Sequence, residues 1–364
     1  MLLESLEVEN FRNLRGKMFF GKGLNIIFGE NGQGKTNWLE AIYTLATTKS
    51  FKTAKLHDAI NFNENLAWIR GSVQQSAEIR RTIQVTLQNN SKTLSINGKK
   101  ETVNRYLGEL YTVLFNADEL EIIRGTPENR RKFLDAGIVG IYPPFVQTLA
   151  DYNRVIKQKN ALLQTAQEND FSLEKTAEML EIWNEQLIAL ATRIHKARVR
   201  YVERLQQALE KKLFEREEVS IRYVSSLEGK GDISDYANLL AERLKLRVQA
   251  ELSSGYSLIG THRDELEILF DGRDLRAYGS SGQQRSALLL LQLANLNVYF
   301  SQHNEYPLFL LDDVDAELDY KRIEQLLDFL SDKTQTFVTT SKESFVEKFG
   351  KNANVFTIEA GESV

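Results

Sequence analysis

The residues Gly29-Glu30-Asn31-Gly32-Gln33-Gly34-Lys35-Thr36 have the spacing G-x-x-x-x-G-K-[ST]. Glycines let backbone N–H groups come close to an anion, and a helix opening here adds the positive end of its dipole. Lys35 reaches the β- and γ-phosphates of a nucleotide, and the Thr36 hydroxyl suits Mg²⁺. Far along the chain, Pro307-Leu308-Phe309-Leu310-Leu311-Asp312-Asp313 is an apolar run that ends in two carboxylates. A buried parallel strand delivers such residues at its C-terminal edge, beside a phosphate loop. Asp312 then suits the Mg²⁺ shell, and Asp313 suits orienting or deprotonating an attacking water. Loop and carboxylates together predict Mg²⁺-dependent hydrolysis of ATP. A third turn, Ser280-Ser281-Gly282-Gln283-Gln284-Arg285, precedes the apolar helix pattern Ala287–Val298. It offers a second anion site at a helix start, although a lone Ser-Gly turn is usually only an N-cap.

These residues need elements to position them. The apolar run Leu24–Phe28 ends at Gly29 as a buried strand does. Trp38, Leu39, Ile42 and Leu45 recur at helical spacing and predict a helix from Lys35 to Ala46. Leu3, Leu6 and Val8 precede the turn-prone Asn10–Asn13. Alternation over Ala67–Val73, Thr82–Leu87 and Thr93–Ile96, with the Asn97-Gly98 hairpin signal, predicts a β-rich arm. From Arg130 to about Leu213 the texture becomes helical, interrupted near Asn169–Ser172, and predicts two or three long helices. Alternation returns at Val219–Val224, and the last hundred residues alternate strand and helix. The expected architecture is an α/β head built from both chain ends, 1–135 and 255–364, with a helical lobe inserted at 136–254.

At 364 residues the chain has room for about two domains. It has no Cys, which excludes disulfides, zinc hooks and a catalytic thiol. The four His argue against a His-only metal cluster, and the net charge of -4 excludes a globally basic nucleic-acid binder but not a local patch. One such patch is Arg193, Lys196, Arg198 and Arg200 on the predicted helix Leu187–Leu205; Arg130, Arg131 and Lys132 form another. Charge runs of this kind are usually solvated helix faces. The acidic N-terminal segment and the lack of any apolar run of about 18 residues predict a soluble, cytosolic protein without membrane partners.

The Ser280–Arg285 turn ahead of an acidic strand resembles the signature motif of ABC-type ATPases. Ala316–Asp319 is similar to the loop along their dimer interface. Asn31 and Asn37 resemble the SMC-like DNA-repair branch, and Thr336–Thr340 lacks the switch His of transporters. The order and spacing of NFRN (10–13), GENGQGKTN (29–37), KSFKT (49–53), VLFNADEL (113–120), RGTPENRRKFLD (124–135), GTHRDEL (260–266), SSGQQRS (280–286) and LLDDVDAELD (310–319) are similar to the RecF family across essentially the whole chain. Trp38, Ala117 and Thr261 depart from the usual pattern.

The resemblance implies an ABC-type P-loop ATPase head with lobe I as a mixed sheet with helices and lobe II as the helical insert. It implies ATP and Mg²⁺ as cofactors. Around the nucleotide it would place Arg12, Gly29, Glu30, Asn31, Gly32, Gln33, Gly34, Lys35, Thr36 and Asn37. Ser280, Gly282 and Gln283 would act in trans from a partner, making an ATP-dependent homodimer with slow turnover. It further implies binding to single-stranded and gapped or junction duplex DNA. The family would assist RecO and RecR in loading RecA, and serve SOS induction, in the nucleoid-associated cytoplasm. Two other readings remain open from the residues: a transporter motor subunit, and a nucleotide-dependent binding module that barely hydrolyses.

Overall fold

The computed structural model describes residues 1–75, 79–88, 91–210 and 218–364, so the expected helix end at Leu213 lies outside the described residues. The chain divides into two compact units, Met1–Leu120 with Gln284–Val364, and Glu121–Gln283. The interval 136–254 lies inside the second unit.

In the first unit the chemistry sits on a six-stranded sheet. Its order is Glu362–Ser363, Asn354–Glu359, Leu24–Phe28, Thr336–Thr340, Leu308–Leu311, Thr112–Phe115. All neighbours run parallel except the short edge pair. Parallel strands are covered on both faces and therefore read as unbroken apolar runs; Leu308, Phe309, Leu310 and Leu311 are each 0% exposed. Register pairs Phe28 with Thr340 and Leu311 with Val338. The glycine loop and the two aspartates thus leave the same edge of the sheet, two strands apart.

The predicted β-rich arm is an antiparallel sheet in the order Leu14–Phe19, Leu2–Phe11, Leu66–Gln74, Arg80–Gln88, Ser91–Ile96, Lys99–Glu101. Asn97 and Gly98 both take positive φ, as a two-residue hairpin turn of the mirror-image type requires. One face of this sheet carries Leu3, Leu6, Val8, Ile69, Ile83 and Val85 into a core shared with Trp38, Leu39, Ile42 and Leu45 of the helix Lys35–Thr47. That core fixes the helix, and so the loop that starts it. Trp38 is fully buried, and truncating such a side chain to Ala typically costs about 3–5 kcal/mol.

The second unit contains the helices Pro127–Ile141, Phe145–Glu168, Leu173–Leu209 and Tyr236–Ser254. A three-stranded antiparallel sheet, Arg273–Asp274, Glu265–Phe270 and Val219–Val224, completes it. The polar break at Asn169–Ser172 is the turn between two long helices: Asp170 has φ 50° and Ser172 caps the next helix through Lys175 N–H. Among the described residues no helix is long and apolar enough to cross a membrane.

Candidate functional site

The loop after Leu24–Phe28 depends on its glycines. Gly34 has φ 107° at the helix N-cap, and Gly29 has φ 156°, where a Cβ would lie 2.5 Å from the Ile358 carbonyl oxygen. An L side chain would be strained at either place. The loop is tied to the C-terminal hairpin: Gly361 N–H donates to the Gln33 carbonyl at 2.8 Å and Ala360 N–H to Gln33 Oε1 at 2.6 Å. Trp38 donates its indole N–H to Gly361 O at 3.1 Å. Lys35 is buried and its Nζ donates to Glu30 O at 2.9 Å, inside the curl of the loop. The Glu30 side chain is exposed, and so is Asn31.

Thr36 Oγ1 donates to Asp312 Oδ1 at 2.9 Å, and Thr339 Oγ1 donates to the same oxygen at 2.7 Å. Thr339 Oγ1 in turn accepts from Asp313 N–H at 2.9 Å. Burial pushes the Asp312 carboxyl up, with the Thr339 and Thr36 hydroxyls pulling it back. Asp313 sits at the strand end with φ 47°. Partial burial raises its pKa, against the pull of the Lys35 ammonium. The nearby acids are engaged elsewhere: Glu317 pairs with Arg285 at 2.6 Å and Asp315 with Lys342 at 3.3 Å.

A cavity of about 260 Å³ opens here, lined by the loop, Lys35, Thr36, Asn37, Lys52 and Asp313. Lys52 is a residue that sequence reasoning missed. Its Nζ donates to Asn37 Oδ1 at 2.9 Å, and Asn37 Nδ2 donates to Asn13 Oδ1 at 2.7 Å. Partial enclosure draws the Lys52 pKa down. Its only sequence signal was the KSFKT run, which carries no chemistry by itself. Thr339 and Glu40 were missed too. Arg12, with φ 56°, gives two N–H groups to Glu40 at 3.0 and 2.9 Å and a third to Asp58 O at 3.0 Å. Glu40 is fully buried and also receives Ser50 Oγ at 2.5 Å. This pair anchors the partly exposed Arg12 guanidinium, whose charge acts on Lys52 at the cavity.

A hydroxyl and a carboxylate oxygen in hydrogen-bond contact are hard donors, and they fit Mg²⁺, which keeps several waters and takes one or two protein oxygens beside substrate phosphates. Among the described residues there is no group of three or more His, Asp or Glu that could hold a metal alone.

Ser280, Gly282 and Gln283 belong to the second unit. Ser280 Oγ accepts from Gln283 N–H at 3.3 Å while Ser280 N–H donates to Gln283 Oε1 at 2.8 Å. This reciprocal capping box opens the helix Ser281–His303. Ser280 and Gly282 are exposed, and a Cβ on Gly282 would meet nothing within 4 Å.

The basic helix face is smaller than expected. Arg193, Lys196 and Arg200 are exposed. Arg198 is 4% exposed, donates to both Asp135 oxygens at 2.8 and 2.9 Å, and gives a third N–H to Thr261 O at 2.7 Å. Helical spacing turns position 198 inward, so its expected role as a phosphate contact is withdrawn. Arg130 is likewise buried, bidentate to Glu265 at 2.6 and 2.7 Å.

A family model described as the RecF/RecN/SMC N terminal domain matches residues 2–364. DNA replication and repair protein RecF of Geobacillus kaustophilus (strain HTA426) is 33% identical over 370 residues, covering 99% of this chain and 98% of that protein. A solved structure of the recombination mediator protein RecF-ATP in the RecFOR pathway matches with TM-score 0.89 and 32% identity, over 100% of this chain and 96% of that one. The Smc head domain with an extended coiled coil, bound to the C-terminal domain of ScpA and derived from Pyrococcus furiosus, matches with TM-score 0.55 and 19% identity over 99% of this chain and 94% of that one, a likeness of fold. The chain belongs to the RecF family of DNA replication and repair proteins, on the ATPase head fold of the SMC proteins.

Proposed function

We propose that the chain is a slow, Mg²⁺-dependent ATPase that uses ATP to hold a homodimer on gapped or junction DNA. The observation that carries this reading is the contact between Thr36 and Asp312 beside the glycine-loop cavity. Backbone N–H groups of Gly29–Gly34 and the Lys35 ammonium would hold the phosphates. Thr36 and Asp312 would hold Mg²⁺, which when bound neutralises charge on the β- and γ-oxygens. Asp313, its proton affinity raised by partial burial, would orient the attacking water and take its proton. Ser280, Gly282 and Gln283 would reach the γ-phosphate bound to a second copy, so hydrolysis and dimerisation would be linked. In that setting the γ-phosphate serves to hold two subunits together, and slow turnover lengthens the hold. Exposed Arg193, Lys196 and Arg200 would take DNA phosphates.

Relatives named for DNA replication and repair and for the RecFOR pathway support a role beside RecO and RecR in loading RecA at gaps and in SOS induction, in the cytoplasm at the nucleoid. The test is ATP turnover with and without gapped duplex, together with sedimentation in ATP, ADP and no nucleotide. ATP alone should shift the protein to a dimer, and DNA should raise turnover. A monomer under all three conditions would overturn the dimer, and absence of turnover would leave a binding module.

A further inference from the structure

The solvent face of the 37-residue helix Leu173–Leu209 changes sign at its middle. Glu178, Glu181 and Glu185 precede Ala189; Arg193, Lys196 and Arg200 follow it; all seven are exposed. Among the described residues none of these six charges has an ion-pair or hydrogen-bond partner. Solvated helices usually interleave signs at i,i+4, where opposite charges support one another. Between Glu178 and Arg200 the signs are segregated, and the opposite charges on this helix, exposed Lys175 and Glu203, lie beyond the two ends of the stripe.

The spacing is also symmetric. From Ala189 the exposed stripe steps by 4, 3 and 4 residues to Glu185, Ile182 and Glu178, and by 4, 3 and 4 to Arg193, Lys196 and Arg200. Steps alternating between three and four keep one seam facing a partner helix. We propose that this seam is an interface with a second copy of the chain, the two helices lying antiparallel about a two-fold axis at Ala189. A two-fold interface is self-complementary: if residue i meets j, j meets i. Glu185 then faces Arg193, Glu178 faces Arg200, and Ile182 faces Lys196, each twice. A parallel pair would set like charge on like. Ala189 at the axis is small enough for close approach of the helices. Ile182 and Met179, 59% and 38% exposed, gain cover from the aliphatic stems of Lys196 and Arg200.

The contact runs about 33 Å from residue 178 to 200 at 1.5 Å per residue. It is narrow, and exposed ion pairs each contribute little, so it is transient and weakened by salt. It needs no nucleotide and is independent of the ATP-held dimer. It sheathes the three cations that would take DNA phosphates, and so marks a resting form that DNA displaces.

The chain has no cysteine, so Ala189→Cys introduces a single reactive thiol. With a short bismaleimide, at low salt and without nucleotide, Ala189→Cys should give a cross-linked dimer. Glu178→Cys should not, because its two copies would lie about 33 Å apart. Adding Glu178→Lys and Glu185→Lys to Ala189→Cys should abolish the cross-link, and further adding Arg193→Glu and Arg200→Glu should restore it. The cross-link should persist in Lys35→Ala protein, which separates it from any failure of the ATPase reading. Far-UV circular dichroism checks that each variant is folded. Equal cross-linking of Ala189→Cys and Glu178→Cys, or no restoration by the second reversal, overturns the interface. Gapped duplex should lower the yield; an unchanged yield overturns the resting form.

Discussion

Thr36 and Asp312 stand 276 positions apart in the chain, and a hydrogen bond of 2.9 Å joins their side chains. Neither strand nor helix could bring them together alone. The parallel register Phe28 with Thr340 and Val338 with Leu311 does so, because it aligns the ends of three strands at one edge. The hydrolytic reading therefore rests on sheet topology as much as on the two motifs.

The first prediction concerns Lys35. Its ammonium lies within the loop on Glu30 O, where it would be the point charge on the β/γ-phosphates. Lys35→Ala should abolish tight ATP binding, while Lys52→Ala, at the cavity rim, should weaken it less. Equilibrium binding of labelled ATP checks both, and wild-type affinity in Lys35→Ala would remove the assignment.

Asp313→Asn should preserve ATP binding and lower turnover by roughly 10²–10⁴, the usual worth of a general base. An amide cannot take the proton of water. The mutant should accumulate as the ATP-bound dimer in sedimentation. Normal turnover would move the base to Asp315 or Glu317, although both are already ion-paired.

Local chemistry made the loop, the acidic strand and the capped helix legible in the sequence. Each is a run of a few adjacent residues whose spacing reports its conformation. Lys52, Thr339 and Glu40 were not legible, because their roles arise only when distant segments meet. Arg198 shows the opposite failure. It reads as one more cation in a basic run, yet helical geometry turns it onto Asp135, 63 positions away. A charge run gives composition; the facing of each residue depends on what the helix packs against.

That difference is measurable. Arg198→Ala leaves Asp135 and the Thr261 carbonyl without their partner and should destabilise the protein by about 3–5 kcal/mol, the usual cost of breaking a buried pair. Replacing exposed Arg193, Lys196 and Arg200 by Ala should change stability little. It should instead lower the slope of log affinity for DNA against log salt by roughly one unit per lost phosphate contact. Urea unfolding and salt-dependent DNA binding separate the two effects, and an unchanged slope would remove the DNA-contact role from these three residues.

His262 should make stability depend on pH. Its Nε2 faces the Ser257 carbonyl at 3.2 Å, which can only accept, so Nε2 carries the proton and Nδ1 accepts from Tyr152 O–H at 2.8 Å. Burial pushes its pKa from 6.5 down to about 4, and Arg263, Arg131 and Lys159 add repulsion. The unfolded chain thus binds the proton first. Stability from this residue is complete above pH 6.5 and is lost as pH falls towards 4, by at most about 3 kcal/mol. His262→Gln keeps a donor and an acceptor without the titration, and should flatten the change in urea midpoint between pH 7 and 4.5. An equally steep change in the variant would assign the dependence to other groups.

The last prediction tests the composite site. Ser280 caps its own helix, and its exposed hydroxyl would also meet the γ-phosphate held by a second copy. Only ATP supplies that group, so ADP has no differential affinity for the dimer and should not shift the equilibrium. Ser280→Arg places a bulky cation where a small donor must approach. Losing the cap costs about 1 kcal/mol, which a melting curve can register without loss of fold. ATP binding to the monomer should survive, since the Gly29–Thr36 loop is untouched, while ATP-dependent dimerisation and hydrolysis should disappear. Mixing Ser280→Arg with Lys35→Ala then decides the geometry. If each site takes its loop from one chain and its Ser280 turn from the other, the heterodimer has one site with both defects and one with neither, and partial turnover should return on mixing. If both determinants of a site lie in the same chain, every site keeps one defect and mixing restores nothing. Normal dimerisation and turnover in Ser280→Arg alone would leave the Ser280–Gln283 capping box as a helix cap without a catalytic share.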